Sequence, residues 1–324
     1  MELLKKCLLV MTLSVLSVLL ISSCAKKTDQ ILGPSVSGGV ACYYIDTANF
    51  PDIRAFMSTG FTDHTIGDFS VTEDDKPCVV TEVTKTDNAA EPLSVAVVID
   101  VSSTMTTNAR DTLSAAAVTN LINSMSATDS VELISAGFNA ANNGNYDVYQ
   151  SFTSNKVLLL SKLSQMGTVT VLGADDYTSN YDALNQAITD IKGRAGRKVI
   201  FLITDGIDNK SITVTSANSI VSKVLSFGIP LHIIGIGDVI DAENADYLNI
   251  GISTKGYYSY FTDAQIAGGN ISADLAGFQT AVNSTVIVKY RSKIGKTTGA
   301  NNMRLVNIAY NQGQRYCQKY YSVP

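Results

Sequence analysis

Charge is scarce in this chain. Asp, Glu, Lys and Arg make up 16% of its 324 residues, and the formal net charge is −5. No Lys/Arg cluster interrupts the body, so the basic footprint of a nucleic-acid binder is missing. Histidine is rarer still. His64 lies in a surface turn, Thr62-Asp63-His64-Thr65, and His232 lies inside an apolar strand, where it reads as a core residue. That leaves no Ser-His-Asp triad and no HExxH helix. There is no CxxC pair, which sets redox catalysis aside. The turn Gly235-Ile236-Gly237 lacks the third glycine of a dinucleotide fingerprint, so no nucleotide is expected. Internal repeats and low-complexity tracts are absent too.

The first residues are patterned for export. Lys5-Lys6 precede an apolar run from Leu8 to Ile21, relieved by Thr12, Ser14 and Ser17. A short apolar core behind a positive start is a secretory signal, too short for a comfortable membrane span. It ends Ile21-Ser22-Ser23-Cys24, which resembles the bacterial lipobox. The resemblance implies that Cys24 becomes the acylated first residue of a chain held to the membrane by lipid, on a bacterial envelope, either periplasmic or surface-exposed. Residues 1–23 are then the leader, and the polar, glycine- and proline-containing stretch 24–39 a tether. In such an oxidising compartment Cys42, Cys78 and Cys317 predict one disulfide and one odd thiol, with the pairing open.

Residues 40–90 alternate as short strands around the turn Asp74-Asp75-Lys76-Pro77. Residues 285–324 return to β, with Thr285 to Arg291, Met303 to Tyr310 and Arg315 to Tyr321 as strands. Neither piece holds a core alone. The two are therefore expected to pair into a small β-sandwich, with residues 91–284 inserted between them. That insert alternates strands and helices, the signature of an α/β fold: a Rossmann-like, doubly wound, mostly parallel sheet with helices on both faces. Val95 to Ile99, Lys198 to Thr204 and Leu231 to Ile236 are strands made almost wholly of apolar residues, as burial on both faces requires. Helices are predicted over Asn108 to Ser126, Lys156 to Met166, Tyr181 to Lys192, Ala217 to Phe227 and Ser272 to Val282.

Three loops at strand ends carry matching chemistry. Asp100-Val101-Ser102-Ser103-Thr104 follows the first central strand. Thr178-Ser179-Asn180-Tyr181-Asp182-Ala183-Leu184 runs into a helix. Thr204-Asp205-Gly206 ends a second central strand. Carboxylates and hydroxyls without imidazole or thiolate suit a hard divalent cation, Mg²⁺ above all, with Mn²⁺ and Ca²⁺ as alternatives. On these residues residues 91–284 resemble the von Willebrand factor type A domain, the I-domain of integrins. Its metal-ion-dependent adhesion site is an Asp-x-Ser-x-Ser run, a later threonine, and an aspartate ending the fourth strand. Asp100, Ser102 and Thr104 match the run, threonine standing for its last serine. Thr178 and Asp205 match the other two positions.

The resemblance implies a protein partner whose carboxylate enters the metal's coordination shell, and a binding module rather than an enzyme. It also implies that the final helix corresponds to the one that slides in integrin relatives. The alternatives are a structural or assembly module whose metal binds no ligand, and a metal-dependent hydrolase. An Asp-x-Asp-x-Thr phosphotransferase is disfavoured, because Ser102 stands where its second aspartate would be. Asp175, Asp176 and Asp208 read as capping or rim residues outside the metal site.

Overall fold

The computed structural model describes residues 41–58, 64–85, 91–139, 144–166, 177–237, 244–254, 256–283, 286–295, 303–310 and 315–322. The leader, Cys24, the tether, Asp175 and Asp176 lie outside these residues. The chain opens with β1 (Ala41–Asp46), β2 (Asp52–Ser58), β3 (Phe69–Glu73), β4 (Lys76–Pro77) and β5 (Val79–Lys85). The middle runs β6 (Leu93–Asp100), α1 (Arg110–Ser124), β7 (Ser130–Asn139), β8 (Gly144–Thr153), α2 (Lys156–Met166), α3 (Asn180–Ile191), β9 (Arg197–Thr204), α4 (Ala217–Phe227), β10 (Leu231–Ile236), α5 (Ala245–Ser253), β11 (Tyr257–Phe261), α6 (Asp263–Ala267) and α7 (Asn270–Asn283). It closes with β12 (Val286–Arg291), β13 (Met303–Tyr310) and β14 (Arg315–Ser322).

The middle forms a six-stranded sheet in the order β11-β10-β9-β6-β7-β8. All its neighbours are parallel except the edge strand β8, which folds back on β7. Successive β-strand side chains point to opposite faces. Val95, Val97 and Ile99 thus pack with Val118, Leu121, Leu163, Leu275 and Phe278, from α1, α2 and α7. Ala96 and Val98 pack on the other face with Leu184, Ile188, Ile220, Val224 and Tyr247, from α3, α4 and α5. Both faces are covered, which is why β6, β9 and β10 contain no exposed residue. His232 is fully buried and packs in a cluster of three rings with Phe201 and Phe278, as a core histidine.

The two chain ends build the β-sandwich. One four-stranded sheet runs β1-β2-β12-β5 and the other β14-β13-β3-β4, so each mixes strands from both ends. Ile53, Ala55, Met57, Val286, Val288 and Tyr290 of the first sheet share one core with Phe69, Val71, Val306, Ile308 and Tyr310 of the second. A buried polar knot fastens the sheets. Arg304 of β13 lies with Nη1 3.5 Å from Glu73 Oε2, and the Ser292 hydroxyl donates to the same carboxylate.

Three sequence expectations change. Among the described residues no disulfide joins Cys42, Cys78 and Cys317. The three sit on different strands or turns, where Cys317 Sγ lies 4.0 Å from Met57 Sδ and the Cys78 thiol faces the Lys76 carbonyl. The first helix does not begin at Asn108. Ser103–Ala109 is a 3-10 segment, and Asn108 and Ala109 have φ of 50° and 57°. Left-handed residues cannot continue a right-handed helix, so α1 starts at Arg110. Finally, α5 is new, its periodicity masked by its short length and by Gly251, a weak helix former.

Candidate functional site

In the sheet order, β6 leads outward to β7 and β9 leads outward to β10 in the opposite direction. Open α/β sheets bind ligands at such a switch point, outside the carboxyl ends of the strands. Asp100 is the last residue of β6 and Thr204 the last of β9, so Asp100 and Asp205 emerge at that point.

The five residues named from sequence are drawn into one cluster by hydrogen bonds and close approach. Asp100 is 1% exposed. Its Oδ1 accepts the Ser102 N–H at 2.8 Å, and its Oδ2 accepts the Thr204 hydroxyl at 2.5 Å. Ser102 Oγ and Thr104 Oγ1 are 3.1 Å apart, and Thr104 Oγ1 donates to Asp205 Oδ1 at 2.9 Å. Ser102 therefore spends its hydroxyl inside the cluster and makes no side-chain cap to the following turn. Thr178 reaches the cluster beside Gly206. A Cβ on Gly206 would lie 3.0 Å from Thr178 Oγ1 and 3.7 Å from Asp100 Oδ2, so glycine is what lets the loops close together. The Thr178 carbonyl accepts the N–H groups of Asn209 and Lys210, and its own N–H donates to Asn209 Oδ1, fixing the second loop to the third.

Burial pushes the Asp100 carboxyl up to about 7. The Thr204 hydroxyl opposes this, and the charge of Asp205 adds to it. Among the described residues Asp100 has no cationic partner. Asp205 differs, because Arg110 Nη1 donates to its Oδ2 at 2.8 Å. Arg110, 4% exposed, is itself held above its ordinary pKa by hydrogen bonding to Asp263 and then to Asp205, against the effect of burial.

A buried polar floor supports these loops. Asn180 Nδ2 donates to the Thr204 hydroxyl at 3.0 Å and to the Tyr247 hydroxyl at 2.6 Å, while the Tyr247 hydroxyl donates to the Gly206 carbonyl at 2.7 Å. Asp182, 2% exposed, accepts from Asn145 Nδ2 and from the N–H groups of Ile212, Thr213 and Val214. Asp208 caps α3, accepting the Tyr181 N–H at 2.7 Å. Sequence reasoning placed Thr204 and Asn180 in the site loops without giving them a role, and passed over Tyr247, Arg110 and Asp263. Only Arg110 left a signal: a cation on the first turn of a helix opposes the helix dipole, and such a residue needs a partner.

No three His, Cys, Asp or Glu side chains gather as metal ligands among the described residues. A cation here would rest on two carboxylates and the hydroxyls of Ser102, Thr104 and Thr178. That donor set fits a hard divalent ion, which would favour the ionised form of the buried Asp100.

An open, mostly parallel sheet with a carboxylate–hydroxyl cluster at its switch point defines a doubly wound α/β domain. Residues 95–207 match the family model described as von Willebrand factor type A domain. The chain carries a domain of that family. No curated protein matches the chain. Among solved structures it is similar to the human COPII-coat protein Sec24c, at 9% identity and TM-score 0.45, covering 72% of this chain and 44% of that one. It is similar to the vWF domain of the type V pili tip protein Mfa5 from Porphyromonas gingivalis, at 13% identity and TM-score 0.42, covering 64% and 99%. It is also similar to the manganese-loaded TRAP protein of Plasmodium vivax, at 15% identity and TM-score 0.43, covering 75% and 97%.

Proposed function

We propose that this chain is a lipid-anchored cell-envelope protein that binds a protein partner through a divalent cation, Mg²⁺ by its donor set. Asp100, Ser102, Thr104, Thr178 and Asp205 would hold the ion. The observation that carries the reading is Asp100: a carboxylate 1% exposed, beside a second carboxylate and without a cation of its own. Keeping such a carboxylate ionised in that place is costly, and a cation at the site would offset the cost. When bound, the ion supplies positive charge and an open position for a partner's carboxylate. The protein's part is to hold two carboxylates and three hydroxyls in place from beneath, through Thr204, Asn180 and Tyr247. The anchor rests on Ile21-Ser22-Ser23-Cys24 behind its apolar run.

A structural module with no ligand is the second reading. It draws on the Arg110–Asp205 pair, which already satisfies one carboxylate. A pull-down from envelope extracts separates the two. Partners should be lost in EDTA and with Asp100→Asn, and recovered by added Mg²⁺ with the wild type. Partners kept under both treatments would exclude metal-dependent binding. Fatty-acid labelling should be lost in Cys24→Ala, and labelling retained there would remove the anchor.

A further inference from the structure

Arg110 does more than neutralise Asp205. Its Nη1 donates to Asp205 Oδ2 at 2.8 Å, while its Nε and Nη2 grip the carboxylate of Asp263 at 2.7 and 2.9 Å. Asn108 Nδ2 donates to the same carboxylate at 2.5 Å. The guanidinium lies across Gly237, at the end of β10. A Cβ on that residue, whose φ is +82°, would stand 2.3 Å from Arg110 Cζ. One side chain thus spans the carboxyl ends of β9, β10 and β11, and ends on the first residue of α6. Only a planar fork with several donors holds two carboxylates in this way; a lysine ammonium does not.

Both oxygens of Asp205 already accept hydrogen bonds, one from Thr104 and one from Arg110. Asp205 serves a cation only by sharing one of them, and the one held by Arg110 is tied to α6.

We propose that Arg110 is a positioning residue that fastens the Asp263–Ala267 segment to the site, so that the state of Asp205 and the hold on that segment are coupled. The metal-dependent half of this proposal rests on the reading above, and the clamp itself does not. Hydrogen exchange tests the clamp in metal-free protein. Asp205→Asn and Arg110→Lys should each speed exchange across 262–268 and leave α2 at its wild-type rate. Unchanged exchange at 262–268 in Asp205→Asn overturns the coupling. Because a buried variant can fail to fold, the second arm uses the more exposed Asp263→Asn, checked by circular dichroism. Its Mg²⁺ dissociation constant, measured by calorimetry, should rise on the order of five-fold, the lower range of inter-site couplings. An affinity within about two-fold of wild type counts against the proposal. If wild type binds neither Mg²⁺ nor Mn²⁺, the metal reading fails, and the exchange comparison still decides the clamp.

Discussion

Asp182 offers a severe test of how the site is supported. It sits in the first turn of α3, and its two oxygens accept four hydrogen bonds. Asn145 Nδ2 and the Ile212 N–H reach Oδ2 at 2.9 and 2.8 Å; the N–H groups of Thr213 and Val214 reach Oδ1 at 3.0 and 2.9 Å. These donors fix the loop that follows Asp205-Gly206. Asp182→Ala orphans three backbone donors at about 1–3 kcal/mol each. Ile212 is 75% exposed, so water recovers part of the loss, and the buried charge no longer has to be desolvated. The net expectation is a loss of about 2–4 kcal/mol at neutral pH, and roughly half that for Asp182→Asn, which keeps one acceptor oxygen. Urea denaturation should show a lower midpoint with unchanged slope.

The sign of the pH dependence is fixed as well. Burial pushes this carboxyl up, but the Asn145 amide and the three backbone donors outweigh it and hold it below 3.8. A depressed carboxyl contributes stability above its unfolded-state value, and that stability is lost as pH falls through the folded value. The gap between wild type and Asp182→Asn should therefore narrow below about pH 4. An Asp182→Ala variant within about 0.5 kcal/mol of wild type, or a gap that stays constant into acid, would refute the reasoning.

Glu132, 1% exposed on β7, is pushed up to about 8 by burial and then by the charge of Asp190. Because the folded state holds this proton longer than the unfolded state, wild-type stability should fall as pH rises from about 4.5 to 8. Glu132→Gln should flatten that dependence and exceed wild type on the order of 2 kcal/mol at alkaline pH, read from melts across the range. In the sandwich, Glu73→Ala strips a fully buried partner from Arg304 and Ser292. It should cost about 3–5 kcal/mol in chemical denaturation, while Glu73→Ala combined with Arg304→Met recovers part of that loss.

The fold was legible where physics leaves a periodic mark. Val95 to Ile99 bury both faces of β6, and an unbroken apolar run is what that demands. The sandwich followed from two β segments each too small to stand alone. The cluster was legible because Asp100, Ser102, Thr104, Thr178 and Asp205 occupy strand and helix ends, where few other arrangements fit. What stayed hidden were contacts across long sequence distance. Arg110 meets Asp205 and Asp263 from separate elements, and Tyr247 comes from a helix whose pattern Gly251 obscures. The break at Asn108-Ala109 was invisible because neither residue is a glycine, yet both adopt left-handed backbone. The cysteines misled for the opposite reason. Their number suggested pairing, but the strands that carry them set their partners.

The central claim is that the Asp100–Asp205 cluster holds a divalent cation. Calorimetric titration of the folded protein with Mn²⁺ tests it most directly. Wild type should bind one ion per chain, with a dissociation constant at or below about 1 mM. Asp100→Asn and Asp205→Asn, folded by circular dichroism, should lose that binding. Equal binding in all three proteins, or none in the wild type, would contradict the claim.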